Sequence, residues 1–193
     1  MTPDRDLVER LKLQAAAILE EELDRPAGAV DLQLERLFEK HPFYEGLQAA
    51  AFSFCPPGKS DRFFVFAGNV MPMIYRDMGL SLDELWAVHI GVEYFIKMGV
   101  TEEKARDTRT LFSYLKMVTT LFQQQLLVTL TSPPKIEKIY TLEDRRQVVG
   151  YYTDGEKAYS WIVGDVPHFV YKHRLPPQIV WALHIGKILL SGE

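Results

Sequence analysis

Apolar residues Leu7, Leu11, Ala15, Ile18 and Leu19 recur at helical spacing between Asp4 and Asp24, which predicts an amphipathic helix closed by Pro26 and Gly28. A second, shorter helix is expected from Asp31 through Leu34, Leu37 and Phe38, ending near His41 and Pro42, so residues 1–42 read as a helical amino-terminal segment. The pattern then changes. Small and aromatic residues run to Cys55, a Pro56-Pro57-Gly58 break follows, and Arg62 to Phe66 reads as a strand, which together predict a β-hairpin. Ser81 and Glu84 have capping-box spacing before an almost wholly apolar helix, Leu82 to Met98, that stops at Gly99.

Thr101 followed by Glu102 and Glu103 reads as the start of another helix, continuing to Ser132-Pro133-Pro134 and about 45 Å long if unbroken. Strands are expected at Lys135–Thr141, Gln147–Tyr152 and Ala158–Val163, with a turn at Thr153–Glu156. Pro176 and Pro177 open a last helix that ends at Gly192.

The hexamer Trp86-Ala87-Val88-His89-Ile90-Gly91 recurs as Trp181-Ala182-Leu183-His184-Ile185-Gly186. Upstream, Gly68-Asn69-Val70 matches Gly164-Asp165-Val166, Tyr75-Arg76 matches Tyr171-Lys172, and Gln48 to Phe52 parallels Gln147 to Tyr151, with an offset that drifts from 99 down to 95. The reading is a duplicated unit of hairpin, corner and helix over residues 46–99 and 146–192, joined by a connecting helix over 101–132 within one domain, 1–193. The predicted class is α+β, with both hairpins in one antiparallel sheet covered by helices. Gly in a helix interior costs about 1 kcal/mol relative to Ala, so its presence at both Gly91 and Gly186 predicts a close approach of backbone.

Composition alters this picture little. The net charge of -4 lies in residues 1–40, which carry ten acidic and six basic side chains; the remainder is balanced. Arg106 with Arg109, and Arg145 with Arg146, form no basic block, which argues against a nucleic-acid binder. The longest charge-free run, Met117 to Pro134, is too polar to span a membrane. With one cysteine and no apolar leader pattern, a cytoplasmic protein is expected, and Cys55 reads as a small buried hydrophobe.

Two clusters can carry chemistry. Asp165, His168, Tyr171 and His173 follow a strand around a Pro corner, a set suited to general acid/base work by a small hydrolase or lyase. His89 and His184 hold equivalent hexamer positions and form a candidate metal or haem pair, although the second hexamer lacks the carboxylate that Glu93 supplies to the first. No nucleophile elbow, phosphate loop or metal-ligand spacing surrounds either cluster, so no cofactor is assigned. The expected function is therefore a non-enzymatic module that binds a small apolar ligand or a protein partner. Phe112, Leu115, Phe122 and Leu126 stripe the connecting helix and make it the expected homodimer element.

Overall fold

The structure, a computed structural model, describes residues 4–24, 30–104 and 108–192. The Pro26–Gly28 stop and Arg106 lie outside the described residues, as does the side chain of Arg109. The fold is α+β, with four helices and two separate antiparallel sheets of four and five strands. The expectation of one shared sheet is thereby corrected: each hairpin builds a sheet of its own. The chain divides into two compact units, Met1–Leu82 and Asp83–Glu193.

In the first unit, helix α1 (Arg5–Leu23) begins where the Asp4 carboxylate accepts the Asp6 N–H. It buries Leu11, Ala15 and Leu19 against Ala50, Phe52, Val65 and Ala67 of the sheet formed by β1 (Gln33–Phe38), β2 (Ala49–Phe54), β3 (Phe63–Gly68) and β4 (Met73–Arg76). The helix expected at residues 31–41 is strand β1, antiparallel to β2. A register shift between Leu34 and Arg36 breaks the two-residue alternation, and this irregularity gives Leu34, Leu37 and Phe38 their misleading helical spacing. The β2–β3 hairpin is present as expected.

The second unit opens with α2 (Leu82–Met98), closed by Gly99 at φ 65°. The rod expected over 101–132 is instead strand β5 (Thr101–Lys104) and helix α3 (Thr108–Leu126), 19 residues and about 28 Å long. Thr101 pairs with Thr141 across the sheet edge, so its backbone serves a strand ladder and not a helix cap. The sheet continues through β6 (Lys135–Leu142), β7 (Arg145–Asp154), β8 (Lys157–Gly164) and β9 (Phe169–Tyr171). Alternation places Val148, Tyr152, Tyr159, Trp161 and Val163 on one face, where they meet Val118, Leu121 and Phe122 of α3. The opposite face meets α4 (Pro177–Ser191), whose Trp181 indole N–H donates to Gln147 Oε1 at 3.2 Å.

Helices α2 and α4 cross at their small residues. A Cβ placed on Gly91 would lie 2.0 Å from the Ala182 carbonyl oxygen, and one on Gly186 would lie 1.8 Å from that of Ala87. The contact is reciprocal, and only glycine permits it.

Candidate functional site

The two hexamer histidines have unlike surroundings. His89 is fully buried, stacks on Trp86 at 5.5 Å between ring centroids, and has its Nε2 3.5 Å from Glu93 Oε1. His184 has its Nε2 2.6 Å from the Pro167 carbonyl and its Nδ1 3.3 Å from the Tyr171 hydroxyl. A carbonyl only accepts, so Nε2 carries the proton and Nδ1 accepts from Tyr171. Burial holds the His184 imidazole below the usual histidine range, with Lys187 and His168 adding to the shift against the Pro167 bond, and burial raises the Tyr171 phenol. Each ring is thus held by neighbours of a different kind, and among the described residues no group of three or more His, Cys, Asp or Glu is placed to hold a metal ion.

The Asp165, His168, Tyr171 and His173 set is divided: His168 and Tyr171 both lie by His184, while Asp165 and His173 have other neighbours. Asp165 Oδ2 accepts the Arg146 N–H at 2.8 Å while the Asp165 N–H donates to the Arg146 carbonyl at 2.9 Å, a bracket that closes the corner after β8. Asn69 makes the same pair of bonds with Gln48 in the first unit, at 2.8 and 3.1 Å. Gly68 and Gly164, just before these residues, have φ of 129° and 122°. His168 is half-buried, and its carbonyl accepts from Gln125 Nε2. Tyr171 is buried against His184, whereas His173 is exposed in a cleft with neither of them.

That cleft has a volume of about 680 Å³ and lies in the second unit, where β8 and the residues after β9 part. Leu126 and Val128 of the α3 end, with Ala158 and Tyr159, make its apolar floor, and Lys157, Lys172, His173 and Arg174 with the single acid Glu156 make its rim. Arg174 is fixed by Glu137 at 2.7 Å and lies over the Tyr151 ring at 3.4 Å. Among the described residues Lys157 and Lys172 make no ion pair, so two cations face the opening uncompensated except by Glu156. The sequence run Lys172-His173-Arg174 is the only local trace of this rim; Lys157 joins it through the non-local pairing of β8 with β9.

A more apolar groove of about 720 Å³ runs along α3 past Phe112, Leu115, Leu130 and Pro133, with Phe112 73% exposed. Cys55, expected to be buried, is exposed beside Ser53 and Arg62 in a smaller cleft of the first unit, because the chain leaves β2 at Phe54. No protein-family model matches the chain, and no curated protein or solved structure is detectably similar to it.

Proposed function

We propose that this chain is a non-enzymatic binding module whose cleft at Lys157, Lys172 and Arg174 takes an anionic ligand carrying an apolar portion. The observation that carries the reading is the gathering of these cations over a floor of Leu126 and Val128 in a chain whose net charge is -4. Cleft volumes of roughly 300–1,000 Å³, apolar with a few placed polar groups, suit small ligands or short chain segments. The exposure of His173 in a cleft that neither Asp165, His168 nor Tyr171 lines supports binding over hydrolase or lyase chemistry by that set, since a general acid and base act only on atoms they both reach. The duplication expected from the hexamers belongs to the same reading. It is supported by the reciprocal Gly91–Ala182 and Gly186–Ala87 contacts and by the matched corner brackets, with the cationic cleft as a feature of the second copy.

Calorimetric titration with octanoate and with octylammonium tests it. Octanoate is expected to bind, more weakly as salt rises, and to lose its affinity in the Lys157→Glu, Lys172→Glu double variant. Equal binding of both amphiphiles, or binding of neither, overturns the reading.

A further inference from the structure

We propose that the ligand of this cleft is an acidic peptide segment in extended conformation, added as a strand beside Lys157–Tyr159 of β8. The inference rests on the anion-binding reading above and specifies the form of the anion.

The backbone geometry comes first. β7 and β8 meet in a two-residue turn, Gly155–Glu156, with Gly155 at φ 57° and Asp154 opposite Lys157. In such a hairpin the flanking pair exchanges both backbone hydrogen bonds, and the bonding direction alternates along the strand. Lys157 and Tyr159 therefore bond toward β7, while Ala158 and Ser160 turn their N–H and C=O to the other side. Ser160 meets Tyr171 of β9 there, and that pair is where the β8–β9 ladder ends. One step further would set His173 opposite Ala158. The chain bends away at Lys172 and His173 instead, and the Leu175 N–H donates to Ser160 Oγ at 2.9 Å, drawing it toward α4. The N–H and C=O of Ala158 are left on an open strand edge that lines the cleft.

An open edge accepts a further strand, and side chains of the added strand alternate between its two faces. Tyr159 points toward α3, so an incoming residue on that face meets Leu126 and Val128 and is apolar. Lys157, two residues before Tyr159, shares that face, and Arg174 lies over the Tyr151 ring on the other, so acidic residues on either face of the added strand meet a cation. An acidic segment with apolar residues among its carboxylates satisfies both demands. Ala158 offers one donor and one acceptor only, so affinity comes largely from charge and falls with salt.

Fluorescence anisotropy on the full chain tests the proposal with a labelled Asp-Leu-Asp-Val-Asp-Leu peptide and its Lys-Leu-Lys-Val-Lys-Leu counterpart. The acidic peptide is expected to bind and the basic one not to. Ala158→Pro removes an N–H that the β7–β8 ladder does not use, a placement proline tolerates at a strand edge. It is expected to weaken the peptide about tenfold, while octanoate binding is retained. Lys172→Glu is expected to weaken peptide and octanoate together.

Octanoate binding without peptide binding overturns the strand proposal and leaves the anion reading standing; binding of neither overturns both. Acidic-peptide binding that Ala158→Pro leaves unchanged, or equal binding of the basic peptide, also overturns it. If tryptophan emission shows that Ala158→Pro does not fold, hydrogen exchange on the unaltered chain decides. Protection of the Ala158 amide on adding the acidic peptide supports the proposal, and no protection overturns it.

Discussion

Gly91→Ala tests the crossing of α2 and α4. The added Cβ would stand 2.0 Å from the Ala182 carbonyl oxygen, about 1.4 Å inside ordinary van der Waals contact at 3.4 Å. The obstacle is helix backbone, so the clash is relieved only by moving one helix off the other. Overpacking a tight interior costs about 1–3 kcal/mol, here at the upper end, and the better helix propensity of alanine returns about 1 kcal/mol. The expected net loss is about 2 kcal/mol, or about 1 M in urea midpoint for an m-value near 2 kcal/mol/M. Trp86, Trp161 and Trp181 are the three tryptophans of the chain, and all lie in the second unit. Tryptophan emission in a urea titration therefore reads the unfolding of that unit alone. Gly186→Ala, with its Cβ 1.8 Å from the Ala87 carbonyl, should act in the same direction. Because one separation of the helices relieves both clashes, the double variant should fall short of additivity by at least about 0.5 kcal/mol. A raised midpoint in Gly91→Ala, the sign of helix propensity alone, refutes the close crossing.

Other consequences concern protonation and the corner. Burial lowers the His184 pKa in the folded state, so the unfolded chain binds the proton first as pH falls. The stability held by the neutral ring is complete above about pH 6.5 and is lost as pH drops below it, by at most about 1.4 kcal/mol per pH unit. Urea midpoints between about pH 7.5 and 5.5 should show this decline, and His184→Gln should flatten it; an unchanged slope in the variant contradicts the assignment. Asp165→Ala removes the acceptor for the Arg146 N–H and is expected to cost about 1 kcal/mol in the same tryptophan assay, because that exposed N–H regains water as a partner. A loss well above that figure would assign Asp165 a larger role than the bracket.

What could be read in the sequence was what local chemistry specifies. The apolar runs with their glycine stops define α2 and α4, and the paired Gly91 and Gly186 point to a close approach that the structure places at Ala182 and Ala87. Strand β1 resembles a helix in sequence because its bulge replaces alternation with helix-like spacings, leaving Leu34 38% exposed while Phe38 is buried. Strand β5 carries no strand signal in sequence because all four of its residues are exposed at a sheet edge, where Thr101-Glu102-Glu103 has the composition of a helix start. The cleft depends on where β9 stops pairing with β8 and on the position of the α3 end, both set by contacts distant in sequence. The titratable cluster after β8 was visible in the sequence, but its members divide between a backbone bracket, a buried Tyr171–His184 pair and the open rim.

Backbone-amide NMR of the full chain titrated with octanoate tests the central claim most directly, because it locates the anion as well as detecting it. Shifts concentrated at Val128, Lys157, Ala158, Lys172 and His173 are the predicted result. Shifts centred on the Phe112 groove or on the first unit, or no shifts at all, would contradict an anion-binding cleft at β8.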